Sequence, residues 1–206
     1  AEAVAAEWAA AGGGTVGAAF DAAELPLTQL ASARQARVAP DRERVIAHLL
    51  GFLDGDALRY RAEPGTALRG KQDRLWDPWL DRAATRFGGT VSVVAGVMPA
   101  DTDPVARLGA AAVLRAANDA VLAALAVLVP ALNSLALGLA VAEGALDARI
   151  ALELSLLDEH DQQARWGTVE EGEAREAALD RDVAAAARFL MLATAGAEAK
   201  ARAGVG

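Results

Sequence analysis

The sequence predicts a mainly α-helical protein with a small mixed α/β remnant at its N-terminal end. Hydrophobic residues make up 54% of the 206 residues but aromatic residues only 4%, so the apolar content is mostly aliphatic, which favours helices. Apolar residues recur at helical spacing through most of the chain, and only residues 90–98 have the β-branched density typical of a strand. We expect a remnant of a small α/β domain at residues 1–30, a helical domain at 31–195, and a disordered or tag-like tail at 196–206.

Short helices separated by glycine and proline account for the beginning of the chain. Residues 1–11 read as a helix that stops at three consecutive glycines, and Thr28 is placed to cap the next short helix. Asp41 is a good N-cap for a third helix, in which the apolar side chains of residues 45–53 form one stripe. That stripe predicts a helix that faces the core.

One long helix and the single predicted strand follow. Residues 56–62 are ambiguous between strand and helix, and residues 63–65 form a turn. Helical spacing then extends over residues 68–87, where Pro78 can restart or kink the helix. The valines of residues 90–98 suit a pleated, half-buried surface, so a strand is predicted there.

From Asp103 onward the sequence is almost wholly helical. Asp103 is an N-cap that is followed by proline at the first helical position. The remaining predictions are breaks at Pro130, Gly144 and Gly167, a helix over residues 147–165 capped by Asp147, and a last helix with a capping box at Thr168 and Glu171 that runs through Leu192.

Negative charge is concentrated in one part of the chain. The 28 acidic and 20 basic residues give a net charge of −8, which argues against the basic stripe that nucleic-acid binding requires. Residues 153–182 contain ten acidic and three basic residues and therefore carry −7 of that charge. The acidic field is predicted to belong to one pair of helices.

No cluster of residues in the sequence indicates catalysis or a bound cofactor. The chain has no cysteine, which excludes disulfides, thiolate metal sites and cysteine nucleophiles. Asp158, Glu159, His160 and Asp161 are consecutive, and consecutive side chains on a helix point in different directions. We interpret them as a solvated acidic face, and we predict no metal, no cofactor and no enzymatic activity.

The uncharged residues 120–142 are long enough to cross a bilayer. Their centre, however, contains Pro130, Asn133 and Ser134, and neither flank carries a cluster of Lys and Arg. The sequence therefore indicates two buried helices that are joined by a turn, and this interpretation is favoured above a membrane span.

The segment from Gly65 to Lys71 matches the first seven positions of a phosphate-binding loop. Gln72 replaces the Ser or Thr that would hold magnesium, and no buried apolar strand precedes the segment. We interpret it as a turn and the start of a helix. The alternative, a nucleotide-binding protein, predicts saturable ATP binding that Lys71→Ala abolishes.

A series of short motifs occurs along the chain in a specific order and spacing. The series comprises the helix up to Trp8, Leu25-Pro26-Leu27-Thr28, Leu30-Ala31, Tyr60-Arg61-Ala62, Gln72, Trp76-Asp77-Pro78, Phe87-Gly88, residues 140–144, Leu157-Asp158-Glu159, Gln162, Trp166-Gly167 and Glu170-Glu171. As an ordered set it resembles the family of F1-ATPase assembly chaperones that bind the alpha subunit of ATP synthase. The chain departs from that family at Gln35-Ala36, where an Ile-Asp pair is usual, and at Ala164, where Glu is frequent.

The resemblance implies an assembly chaperone whose partner is the free F1 alpha subunit. Its partner-binding residues would lie on the acidic helical pair, and they are Asp158, Glu159, Gln162, Trp166, Glu170 and Glu171. Glu159 is the best match to an acidic residue that matters for function in the family. Trp76, Asp77, Pro78 and Gly167 would form the structural motif.

The resemblance also implies features beyond the printed chain. Family members usually begin with a small β-rich domain, which makes the full family α+β. Because Ala1 is also not Met, we expect an N-terminal portion of the natural protein to precede this sequence.

Lysine is scarce relative to arginine, which suggests a GC-rich bacterial gene and the cytoplasm, or the mitochondrial matrix for a eukaryotic protein. We expect a monomer. A helical adaptor of unknown partner is the remaining alternative.

Overall fold

The computed structural model describes residues 2–11, 21, 24–96, 101–167 and 170–203. Within them the fold is mainly helical with one small parallel sheet, which confirms the predicted fold class. The helices are α1 (Glu2–Ala10), α2 (Pro26–Ala33), α3 (Arg42–Asp54), α4 (Ala67–Phe87), α5 (Pro104–Ala116), α6 (Asp119–Leu132), α7 (Leu135–Ala142), α8 (Ala148–Ser155), α9 (Leu157–Trp166) and α10 (Glu170–Ala203). The strands are β1 (Tyr60–Arg61) and β2 (Val94–Ala95), and shorter pieces are a π-helix (Arg34–Val38) and a 3-10 helix (Ala57–Arg59).

The core is built around α6 and α7, which form from the uncharged residues 120–142. Asn133 ends α6 in the left-handed conformation with φ of 46°, and the hydroxyl of Ser134 caps α7 by accepting from the N–H of Leu137 at 3.1 Å. Two buried helices are confirmed, but the break predicted at Pro130 is wrong. Asn133 makes the turn because asparagine tolerates the left-handed region, whereas Pro130 lies within the last turn of α6. Among the described residues, no helix has both the length and the apolar character of a membrane span.

Two groups of helices enclose this central pair. The first group is α3, α4 and α5, and the second is α2, α8 and α10, with α10 lying along α6. Helices α4 and α5 pack closely at Gly109, where a Cβ atom would lie 1.8 Å from the carbonyl oxygen of Phe87. Glycine is required at this crossing because any side chain would collide with the backbone of α4.

Aspartate N-caps start three of the helices, as the sequence predicts. Asp41 accepts a hydrogen bond from the N–H of Arg44 at 3.1 Å, at the start of α3. Asp103 and Asp147 do the same for α5 and α8, at 2.9 Å in both cases. These caps satisfy N–H groups that have no partner within their own helix.

The start of α2 is capped from a distant part of the chain. Helix α2 begins at Pro26, and the carboxylate of Glu7 in α1 accepts the N–H groups of Leu27 and Thr28, each at 2.8 Å. The hydroxyl of Thr28 also donates to Glu7, at 2.7 Å. The prediction that Thr28 caps this helix is therefore wrong, because Thr28 lies inside the first turn and Glu7 supplies the acceptor.

The sheet is smaller than the sequence predicts. Tyr60 pairs with Val94 and Arg61 with Ala95 in a parallel ladder, and residues 90–93 have no strand pairing. The prediction of a strand over residues 90–98 is therefore wrong for residues 90–93, while residues 97–98 lie outside the described residues. Beside the ladder, Arg59 donates to the carbonyl oxygens of Ser92 at 3.0 Å and Asp101 at 2.7 Å, so Ser92 is held by a side chain and not by a strand partner.

The C-terminal helices differ from the prediction in their boundaries. The predicted helix over residues 147–165 is interrupted at Leu156, whose backbone leaves the helical region with φ of −93° and ψ of 8°, and the two parts are α8 and α9. The last helix runs past the predicted end at Leu192 to Ala203, since alanine keeps helix propensity high there. The backbone of residues 196–203, assigned to the predicted tail, is therefore helical, and the capping box at Thr168 lies outside the described residues. The division at residues 30 and 195 stays a prediction.

Candidate binding surface

The acidic segment folds as two adjacent helices, which we name the acidic hairpin: α9, and α10 up to Asp182. Among the described side chains, a salt bridge and a histidine–carboxylate contact join them. The carboxylate of Glu159 accepts from the guanidinium of Arg175 at 2.7 Å, and His160 Nε2 lies 3.3 Å from Glu176. Both pairs are partly exposed, so they hold the hairpin together weakly and leave its outer face in solvent.

Most of the predicted partner-binding residues are exposed on this hairpin. Glu159, Gln162 and Glu171 are exposed. Trp166, at the end of α9, has 86% of its surface in solvent, the largest fraction among the exposed large hydrophobic residues of the described chain. Gly167 follows it with φ of 86°, a conformation that suits glycine and ends α9. Glu170 starts α10, and its side chain lies outside the described residues.

Asp158 points in the other direction, towards α4. Its Oδ1 accepts a hydrogen bond from Nε2 of Gln72 at 2.7 Å, and Oε1 of Gln72 accepts the N–H of Ala62 at 2.8 Å. Burial raises the pKa of Asp158, and the charge of Asp161 raises this pKa further, against the opposing effects of Gln72 and Arg61. This carboxylate is held at the base of the hairpin rather than on its outer face.

Trp76 and Asp77, two of the four residues of the predicted structural motif, belong to the support that α4 and β1 form beneath α8 and α9. Trp76 is 1% exposed, and its Nε1 donates to the carbonyl oxygen of Leu154 at 2.9 Å. The guanidinium of Arg61 stacks over the Trp76 ring, 5.1 Å from its centroid, and pairs with Asp77 at 3.0 Å. Pro78 lies inside α4 on its exposed side.

Sequence reasoning did not assign roles to the buried polar residues of this support. Arg61 and Gln72 belong to the motifs that carry the family resemblance, yet local sequence gives no sign that either is buried. Arg61 is fully buried and also pairs with Asp73 at 2.8 Å. Its position inside the ambiguous segment of residues 56–62, just before a turn, was the available signal.

A groove lies beside the hairpin, between α8 and α10. Its volume is about 560 Å³, and it is lined by Arg149, Leu152, Glu153, Glu173, Glu176, Ala177 and Asp180. Four of these seven side chains are carboxylates and one is a guanidinium. The acidic surface therefore continues from the hairpin into this groove.

The other segments considered for chemistry have structural roles. Thr66 caps α4 by accepting from the N–H of Arg69 at 3.1 Å, and Lys71 is exposed within the helix, so the turn and helix start predicted for Gly65 to Lys71 are confirmed. His48 is exposed on α3, with its ring centroid 5.5 Å from that of Phe52. No group of three or more potential metal ligands converges within the described residues.

The exposed tryptophan and the exposed carboxylates on this helical fold have the composition of a surface that binds other proteins. The model of the ATP12 chaperone protein family matches residues 1–84. Solved structures of Atp12 from Paracoccus denitrificans and of a point mutant of it are 37% identical in sequence, with a TM-score of 0.83, over 93% of this chain and 80% of theirs. A protein from Agrobacterium tumefaciens, described as a candidate chaperone, is 32% identical with a TM-score of 0.77, over 84% of this chain and 65% of its own. The chain belongs to the ATP12 chaperone family.

Proposed function

We propose that the protein is an assembly chaperone for the F1 sector of ATP synthase. It binds the free alpha subunit, here called the client, and prevents its aggregation until beta subunits displace it. Membership of the ATP12 chaperone family, over 93% of the chain at 37% identity, is the observation that carries this proposal. The physical need is clear, because an unpaired subunit exposes the large apolar surface that it later buries in the assembled complex.

The acidic hairpin is the surface that we assign to the client. Trp166 offers a bare aromatic side chain, and the exposed carboxylates of Glu159 and Glu171 lie on the same two helices. A central aromatic anchor with a charged rim is the usual composition of a strong interface. The acidic rim fits basic residues on the client and would guide the encounter over a Debye length.

This mode of action needs a surface and no chemistry. The chaperone acts by covering the client and by yielding to a competitor that binds the same patch more tightly, so neither ATP nor another cofactor is required. We propose a non-enzymatic monomer that works in the bacterial cytoplasm, or in the mitochondrial matrix in a eukaryote.

Suppression of client aggregation tests the proposal. Denatured F1 alpha subunit is diluted into buffer, and its light scattering is followed with and without an equimolar amount of this protein. We expect strongly reduced scattering, while an unrelated acidic protein of similar net charge leaves scattering unchanged. Equal suppression by both proteins, or suppression by neither, would contradict the proposed function.

A further inference from the structure

Gln72 connects three parts of the chain through both ends of one side chain. It is 1% exposed on α4. Its Oε1 accepts the N–H of Ala62 at 2.8 Å, just after β1, and its Nε2 donates to Asp158 Oδ1 on α9 at 2.7 Å. The amide has one possible orientation, because only its oxygen can face the N–H of Ala62. The amide nitrogen must then face α9, where it requires an acceptor.

Asp158 supplies that acceptor in a setting that is otherwise crowded with charge. Asp161 on α9 repels it, and Arg61 attracts it from β1. The guanidinium of Arg61 is already paired with Asp73 at 2.8 Å and Asp77 at 3.0 Å. The hydrogen bond from Gln72 is therefore the direct side-chain contact that holds Asp158 against α4.

Helix α9 has little apolar surface with which to fix its own orientation. Leu157 is its one buried residue, and its remaining side chains are half-buried or exposed. A helix with a single buried apolar residue can rotate or tilt on its support at small cost. Polar contacts at its base must set its direction, and Asp158 directly follows Leu157.

We propose that Gln72 is a positioning residue for the client-binding surface, and that it sets the orientation of α9 through Asp158. The inference rests on the proposed function for its consequence, which is weaker client binding when α9 is misplaced. Gln72 is buried and cannot touch a client, so any effect on binding is indirect, and exchange in α9 shows whether it passes through that helix.

The test introduces a like charge and then removes it. In Gln72→Glu, one carboxylate oxygen still accepts from Ala62 while the other faces Asp158, so α9 is pushed away from α4. We expect backbone amides of α9 to exchange with solvent at least about tenfold faster at about pH 8, with α6 unchanged, and client affinity to fall by a similar factor. In Gln72→Glu/Asp158→Asn the new amide donates to the carboxylate introduced on α4, and slow exchange in α9 should return.

Acid pH supplies an independent readout that a merely structural defect would not give. At about pH 5 the two facing carboxyl groups of Gln72→Glu can share a proton. The exchange rate of α9 in this single variant, relative to wild type at the same pH, should therefore fall again. The charged or titratable groups on the elements around this pair are Asp161, Arg61, Arg69, Asp73, Asp77, His160 and Glu176, and wild type measured at both pH values accounts for their effect. Ala164→Glu, which adds the same charge at an exposed position of α9, is the matched control for exchange.

Each outcome decides the proposal. Unchanged exchange in α9 of Gln72→Glu, or acceleration spread evenly over α4, α6 and α9, would overturn it. If Gln72→Glu does not fold, exchange in α9 is compared between Gln72→Met and the double variant. Faster exchange in Gln72→Met than in the double variant supports the proposal. Equal exchange in the two variants refutes it. If wild type does not bind the alpha subunit, the proposed function fails, and exchange still decides whether Gln72 positions α9.

Discussion

The indole of Trp76 in α4 donates a hydrogen bond to the carbonyl oxygen of Leu154 in α8, with 2.9 Å between nitrogen and oxygen. Both residues are buried, and the guanidinium of Arg61 lies over the face of the ring, 5.1 Å from its centroid. The last turn of α8 is thereby fixed to α4 just before the chain enters α9. The position of the acidic hairpin depends on this junction.

Replacing Trp76 with phenylalanine should destabilise the fold. The substitution keeps an aromatic ring but removes the donor to Leu154, and the smaller ring leaves a gap, so we expect a loss of about 2–3 kcal/mol in the free energy of unfolding. Urea unfolding followed by circular dichroism measures it. The matched control is Trp79→Phe on the same helix, at a half-buried position, for which we expect about 1 kcal/mol or less. Equal losses in the two variants would show that the hydrogen bond contributes nothing.

Gly109→Ala should damage the crossing of α4 and α5. The new Cβ would lie 1.8 Å from the carbonyl oxygen of Phe87, so the helices must separate, and we expect a loss of about 3 kcal/mol. Gly51→Ala in α3 is the control, because no atom lies within 4 Å of its Cβ position. There the gain in helix propensity should stabilise the protein by about 1 kcal/mol. Thermal unfolding of both variants gives the comparison, and a neutral Gly109→Ala would mean that the crossing is looser than described.

Asp158→Asn should change how stability depends on pH. Burial raises the pKa of Asp158 in the folded state, so between the unfolded pKa of about 4 and this raised value the folded protein binds more protons than the unfolded chain. Wild-type stability therefore falls as pH rises through that window. The variant lacks this loss, and its Oδ1 can still accept from Gln72, so it should exceed wild type in stability at neutral pH and approach it near about pH 4.

Urea unfolding of both proteins across this pH range measures the effect. Asp81→Asn, which removes an exposed carboxylate from α4, is the control. A variant that is less stable than wild type at neutral pH would refute the argument. If the prediction holds, the charge of Asp158 is kept at a cost in stability, which is expected of a residue that serves binding.

The sequence contained most of the local information about the fold. The caps at Asp41, Asp103 and Asp147 are local signals, since side chain and helix start lie within three residues of each other, and all three are confirmed. Glu7 could not be predicted as the cap of α2, because it lies 20 residues from Leu27 and no local pattern joins them.

The binding surface could be predicted only in part. The concentration of acidic residues identified the helical pair, and the exposure of Glu159 and Trp166 agrees with a surface role. The inward direction of Asp158 was beyond sequence reasoning, because adjacent helical residues face different ways and the deciding partner, Gln72, is 86 residues earlier. A buried polar contact of that range has no signature in a single sequence.

Reversing two charges on the hairpin should weaken client binding without unfolding the protein. Glu159→Lys/Glu171→Lys changes the surface charge by +4, and the exposed ion pair with Arg175 that it removes contributes about 1 kcal/mol or less. We expect the double variant to bind the client at least about tenfold more weakly than wild type at low salt, and we expect this difference to be smaller at high salt because salt screens the charges. The far-UV circular dichroism spectrum should be unchanged. Asp81→Lys, a reversal on α4, should leave binding unaltered. Equal affinity of wild type and the double variant would remove the acidic hairpin from the interface.

Client selectivity is the most direct test of the proposed function. The purified protein is immobilised and offered separately expressed F1 alpha and beta subunits, and bound material is quantified before and after the other subunit is added. We predict that alpha is captured, that beta is not, and that beta releases the captured alpha. Capture of neither subunit, or of both to the same extent, would contradict an alpha-specific assembly chaperone.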